Sequence, residues 1–155
     1  MAEIRHASVV WNGGLTDGSG MITYVSSGVI SRLPISWASR TAGHEGRTSP
    51  EELLAAAHAS CFAMALALVL GENDTPPDRL TVSAACTLDD VDGAPRVTTV
   101  ELTVDARVPG VEEPAALERL VGRAADLCPV SNALRGNVEI NVRSELAAAS
   151  AESTM

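Results

Sequence analysis

The sequence contains no lysine, and all eleven of its basic residues are arginine. That excludes a Schiff-base nucleophile and the lysine of a phosphate-binding P-loop. Twenty acidic residues against those eleven leave a net charge of −9. So few cations suit neither a phosphate backbone nor an anionic membrane surface, since both bind through Lys and Arg; no nucleic acid and no membrane are expected as partners. Aromatic residues amount to only 3%, so Ala, Val, Leu and Ile have to build the core. Three cysteines, Cys61, Cys86 and Cys128, are too few and too widely spaced for a disulfide framework. With no C-x-x-C, thioredoxin-like and zinc-ribbon readings fall away. The opening residues form no apolar signal segment, so a cytoplasmic setting with reduced thiols is expected.

What remains is the composition of an ordinary soluble domain, 155 residues with 46% hydrophobic and 20% charged. A chain of this size buries roughly 70% of its unfolded surface without covalent staples. Residues 4–11 and 21–26 are strand-like runs, separated by Asn12-Gly13-Gly14 and Asp17-Gly18-Ser19-Gly20, which are turn-forming. Residues 33–39 alternate around Trp37 and predict a third strand. Ser49-Pro50-Glu51-Glu52 then marks a helix start, with Ser49 as cap, Pro50 at the first position and Glu52 completing a capping box. Of the eighteen residues 53–70 sixteen are apolar, interrupted by His58 and Ser60, and Gly71 provides the stop. That length is at the lower edge for a membrane span. The run is seven parts alanine, holds a central histidine and lacks basic flanks, so a helix buried inside a protein is expected instead.

Leu80, Val82, Ala84, Cys86 and Leu88 alternate with more polar neighbours, Asp92-Gly93 turns the chain, and Val100, Leu102, Val104, Ala106 and Val108 repeat the alternation: a hairpin. Pro114 opens a second helix with Leu117, Leu120, Val121, Ala124 and Cys128 on one face, and Pro129 breaks or kinks it. Residues 131–134 add one more turn, and Val138, Ile140 and Val142 form a last strand. The order β-β-β-α-β-β-α-β predicts one α+β domain over residues 1–146 and a frayed tail over 147–155.

Taken singly, each cysteine reads more readily as a small core hydrophobe than as a nucleophile, Cys86 most of all. A reactive thiolate in an apolar helix needs a charge partner, and arginine is the only permanent cation here. Zinc is a second reading: His58 and Cys61, three apart on one helical face, could take Cys128 as a third ligand. His58 reads as a hydrogen-bonded core histidine or as a residue that orients an active site.

The stretch Thr48-Ser49-Pro50-Glu51-Glu52-Leu53-Leu54-Ala55-Ala56-Ala57-His58-Ala59-Ser60-Cys61-Phe62-Ala63-Met64-Ala65-Leu66 resembles the signature helix of the OsmC/Ohr family, the osmotically inducible and organic-hydroperoxide-resistance proteins. Cys128-Pro129-Val130-Ser131-Asn132-Ala133-Leu134 resembles its second cysteine motif, and Ala57-His58-Ala59 is closer to the OsmC branch. The resemblance implies an antiparallel sheet around a long buried central helix, in an intertwined homodimer. It implies a thiol-dependent peroxidase for organic hydroperoxides and hydrogen peroxide, with no metal or organic cofactor. By position, Cys61 is then the peroxidatic cysteine, Cys128 the resolving one and Glu51 the family glutamate. Arg40 best matches the thiolate-stabilising arginine, and Arg47 is its competitor. An external dithiol of the dihydrolipoamide type is implied as reductant, and Phe62 with its Val, Leu and Ala neighbours suggests a pocket for alkyl chains.

Helix geometry adds a constraint. Ten residues separate Glu51 from Cys61, which is ~15 Å of axial rise and an ~80° difference in direction. Glu51 therefore does not serve the Cys61 of its own helix, and an isologous homodimer with antiparallel helices is expected to bring one chain's Glu51 to the other's Cys61. The rival reading is a non-enzymatic redox sensor or a small hydrophobic-ligand carrier of the same fold, since function lives in the site.

Overall fold

A computed structural model describes residues 1–148; the expected fraying of the tail from 149 onward lies outside the described residues. The chain divides into two compact units, Met1–Leu53 and a second that begins at Leu54. In the first, strands β1 (Ala7–Asn12), β2 (Ser19–Val25) and β3 (Leu33–Ile35) form an antiparallel sheet in that order. Gly20 sits opposite Trp11 and Ile35, where a Cβ would come within 2.6 Å of the Trp11 ring and 2.9 Å of Ile35. Only glycine lets those two side chains close over β2.

The third strand is shorter than its alternation predicts. It stops at Ile35 because Ser36 caps a helix, α1 (Trp37–Thr41). The Ser36 hydroxyl accepts from the Ser39 N–H at 3.0 Å, and the Ser39 hydroxyl accepts from the Ser36 N–H at 3.1 Å. This serine–serine capping box turns a strand-like sequence into a helical turn that carries Arg40. Helix α2 (Pro50–Glu72) starts as expected, with the Ser49 hydroxyl accepting from the Glu52 N–H at 3.2 Å. The Glu52 carboxylate instead accepts from the Thr48 hydroxyl at 3.4 Å.

The second unit holds α2 from Leu54 on, the hairpin β4 (Arg79–Val91) and β5 (Ala94–Arg107), helices α3 (Pro114–Leu127) and α4 (Pro129–Leu134), and β6 (Glu139–Leu146). Asp92 and Gly93, with φ of 54° and 81°, make the type I′ turn that matches the twist of a hairpin. In the β4-β5-β6 sheet β6 runs parallel to β5, so this sheet is mixed rather than antiparallel throughout. The cause is the crossover: a chain that leaves β5 through two helices returns in the same direction.

Helix α2 runs through Gly71 and ends two residues later than the sequence suggests. Asp74 takes the left-handed conformation (φ 57°), the Thr75 N–H donates to the Leu70 carbonyl at 2.9 Å and the Asp74 N–H to the Gly71 carbonyl at 3.1 Å. Those two bonds are a Schellman closure, and Asp can fill its left-handed position. Phe62, Leu66, Val69 and Leu70 of α2 are buried in one cluster with Val100, Leu102, Val104 and Ala106 of β5 and Leu117, Leu120, Val121 and Ala124 of α3. Phe62 has no exposed surface, so it is a core residue and not a pocket wall. The opposite face of α2 is different: Ala57, Ser60, Met64, Ala67 and Leu68 are all exposed. By length and composition α2 could cross a membrane, but its Phe62–Leu70 face is already committed to this core.

Candidate functional site

Cys61 follows His58 by three residues on α2 and is partly exposed. Cys128 has no exposed surface and does two jobs in the backbone. Its N–H donates to the Ala124 carbonyl at 2.9 Å and closes α3, while its Sγ accepts from the Ser131 N–H at 3.5 Å and caps α4. Pro129 enforces this arrangement, because it cannot continue α3 and suits the first position of α4. The break between the two helices leaves the Cys128 sulfur 3.4 Å from that of Cys61. A disulfide needs about 2.05 Å, so the two sulfurs are unbonded and stand little more than an ångström beyond bonding distance.

His58 is also fully buried, and its Nε2 lies 2.7 Å from the Ser131 hydroxyl. Its Nδ1 is buried without a hydrogen-bond partner among the described residues. Burial holds the imidazole below its ordinary pKa, which keeps it neutral. Burial pushes the Cys61 thiol up, reinforced by Cys128 and opposed by the Val130 backbone. Burial also opposes ionisation of Cys128, yet hydrogen bonds from the Ser131 hydroxyl and N–H, the Cys61 thiol and the Val130 backbone outweigh it and bring Cys128 below the ordinary thiol value. Either thiol can serve the other: Cys61 donates when Cys128 is the thiolate, and Cys128 donates when Cys61 is.

In the first unit the structure pairs the other two expected residues. Glu51, in the first turn of α2, accepts from Arg40 Nη2 at 2.7 Å and from Nε at 2.8 Å through its Oε1. The Glu51 side chain is only 9% exposed, and its Oε2 is buried with no partner. The Arg40 guanidinium also lies 5.8 Å from the centre of the Trp37 ring, a cation–π contact within the same α1 turn. Beside it Trp11, Leu15, Ile35 and Trp37 line an open, largely apolar cleft of about 350 Å³ that Arg40 and Pro50 complete. Arg47 is exposed and forms no ion pair among the described residues.

Cys86 faces the core cluster from β4. The zinc reading finds His58 already committed to Ser131, and no group of three or more His, Cys, Asp or Glu is disposed to hold a metal among the described residues. Ser131 is the residue that sequence reasoning missed. The signal for it was the spacing Cys-Pro-x-Ser, which places a hydroxyl at the third position after a cysteine cap.

Residues 43–143 match the family described as OsmC-like protein. Among curated proteins the chain is similar to peroxiredoxin OsmC of Escherichia coli K12, 35% identical over 131 residues that cover 84% of this chain and 90% of that protein. Among solved structures it is similar to an organic hydroperoxide resistance protein from Elizabethkingia anophelis, with a TM-score of 0.72 at 26% identity, covering 96% of this chain and 100% of that one. A third is the organic hydroperoxide resistance protein OhrB of Bacillus subtilis, with a TM-score of 0.63 at 29% identity over 90% of this chain and 98% of that one.

Proposed function

The chain belongs to the OsmC/Ohr family, and we propose that it is a thiol peroxidase that reduces organic hydroperoxides, and hydrogen peroxide, with Cys61 and Cys128. The names of its relatives, peroxiredoxin OsmC and organic hydroperoxide resistance protein, support a hydroperoxide-related redox function. The observation that carries the mechanism is the thiol pair: two unbonded sulfurs 3.4 Å apart, one reachable from solvent and one not.

The Cys61 thiolate attacks the outer peroxide oxygen. The O–O bond breaks, the alkoxide leaves and is protonated to the alcohol, and Cys61 becomes a sulfenic acid. Cys128 then attacks the Cys61 sulfur. The S–S bond forms, the S–O bond breaks, and hydroxide leaves as water with the proton that Cys128 gives up. An external dithiol, dihydrolipoamide-like by family resemblance, reduces the disulfide and is itself oxidised. Exposure decides the roles, because peroxide reaches Cys61 and not Cys128.

Arg40, held by Glu51, supplies the cation that the Cys61 thiolate requires, and the cleft of Trp11, Leu15, Ile35 and Trp37 suits an alkyl chain. Since ~15 Å of helix separates Glu51 from Cys61 on one chain, this reading calls for a homodimer in which each protomer's Arg40–Glu51 pair serves the other's thiols. The exposed Met64 and Leu68 of α2 favour such an association. Residues 1–146 then act as one OsmC-like domain in the cytoplasm, where thiols stay reduced. Cys128→Ser tests the scheme: it consumes about one equivalent of hydroperoxide in a first turnover, stops cycling, and over-oxidises Cys61 when more hydroperoxide is supplied. Normal multi-turnover kinetics in that variant contradict it.

A further inference from the structure

The peroxidase scheme uses Cys61, Cys128, Arg40 and Glu51, and it leaves a fully buried histidine and a buried serine without a task. Both lie in the thiol cluster. His58 Nε2 stands 2.7 Å from the Ser131 hydroxyl, and Ser131 donates to the Cys128 sulfur through its N–H at 3.5 Å, its hydroxyl also favouring the Cys128 thiolate. His58, Ser131, Cys128 and Cys61 therefore form one continuous chain of hydrogen bonds, with exposures of 0% for His58, 1% for Ser131 and 0% for Cys128.

Proton counting gives this chain a direction. The Ser131 hydroxyl has one hydrogen, which goes either to His58 Nε2 or to the Cys128 sulfur. If His58 carries its proton on Nε2, that N–H donates to the Ser131 oxygen and the hydroxyl is free to donate to sulfur. If the proton sits on Nδ1, the hydroxyl turns to Nε2 and Cys128 loses a donor, while a buried N–H is left with no acceptor, since Nδ1 has none. We propose that His58 and Ser131 are positioning groups for the second half of the cycle, in which the Nε2–H tautomer orients the Ser131 hydroxyl onto the Cys128 sulfur and readies it to close the disulfide.

This rests on the two-cysteine reading above and adds an asymmetry to it. Ser131 donates to Cys128 and not to Cys61, so it favours the thiolate that attacks the Cys61 sulfenic acid and gives no help to the first attack on peroxide. In the closing step the Cys128 sulfur gains the S–S bond as the Cys61 S–O bond breaks. The departing hydroxide takes up a proton, so one sulfenic acid and one thiol give one disulfide and one water. Ser131 holds the attacking sulfur through a hydrogen bond to its negative charge. His58 acts through Ser131 and keeps its own proton.

The test separates the two half-reactions. One equivalent of cumene hydroperoxide is added to reduced protein. Sulfenic acid at Cys61 is followed by dimedone trapping, and disulfide closure by quenched intact mass. In Ser131→Ala the first step is not slowed, closure slows about tenfold or more, and the Cys61 sulfenic acid persists, passing to sulfinic acid only when a second equivalent of hydroperoxide is added. His58→Leu does the same, whereas His58→Gln, whose amide N–H stands near Nε2, restores closure. The double variant Ser131→Ala with His58→Leu is no slower than either alone, because both remove the same bond to sulfur. Unchanged closure in Ser131→Ala, or equal slowing of both steps, overturns the proposal. A parallel measurement does not depend on peroxide chemistry. In Cys61→Ser protein, the thiolate absorbance of Cys128 at neutral pH falls when Ser131→Ala is added; no fall overturns the proposal there too. If wild type forms no disulfide with peroxide, the peroxidase reading fails, and the absorbance measurement still decides the positioning role.

Discussion

In the proposed scheme two side chains owe their roles to what stands next to them in the sequence. Pro129 makes Cys128 the end of one helix and the cap of the next, which is why a buried sulfur meets Cys61 at 3.4 Å. Glu51 holds Arg40 at 2.7 Å with only 9% of its own side chain exposed. Glu51→Gln leaves the guanidinium without its counter-charge, with an expected loss of about 1–3 kcal/mol of stability and at least a tenfold slower reaction with hydroperoxide. Thermal unfolding and stopped-flow peroxide kinetics check the two effects. Cys61, Cys128, Arg40 and Glu51, the residues of the proposed site, were singled out in the sequence because each stands in a motif or at a fixed spacing from one. Ser131 was not: its Cys-Pro-x-Ser spacing marks a helix cap, and only the structure sets His58 2.7 Å from its hydroxyl. Phe62 was misleading for a related reason, since hydropathy does not separate a core wall from a pocket wall, and this one has zero exposure.

Helix α2 shows how far apolar periodicity can be trusted. Its beginning was legible from Ser49 and Pro50, because the Ser49 hydroxyl makes its bond to Glu52 within the same few residues. Its end was not, because the left-handed residue that closes it is Asp74 and not a glycine. Strand β3 was overextended because Ser36 and Ser39 cap each other, a reciprocal bond that alternation cannot signal. The parallel pairing of β6 was hidden as well, since a strand's sequence does not state its direction. The hairpin was plain, and it allows a clean check: Gly93→Ala places a Cβ at φ 81° and costs about 1 kcal/mol, or roughly 2–4 °C in Tm. In the proposed homodimer the exposed Met64 and Leu68 on α2 carry the association. Met64→Glu puts a charge on that face and is expected to give monomers by light scattering, with peroxidase activity lost; a dimer of full activity would remove the face from the interface.

The balance of buried groups also sets how the folded chain responds to pH. Burial holds His58 below its ordinary value of 6.5, so on acidification the unfolded chain takes up this proton first. Stability is therefore complete above 6.5 and declines as pH falls from there through the lower folded value. Urea midpoints at about pH 7.5 and about pH 5.5 are expected to fall in that order, and the drop shrinks in His58→Gln. An unchanged drop in the variant would assign it to other groups. The account stands or falls on the thiol pair, and intact-mass analysis of the reduced protein after one equivalent of cumene hydroperoxide tests it most directly. The expected result is the loss of two hydrogens within minutes, mapped to a Cys61–Cys128 disulfide that is absent in Cys61→Ser. An unchanged mass would contradict the peroxidase cycle and leave both sulfurs as packing groups.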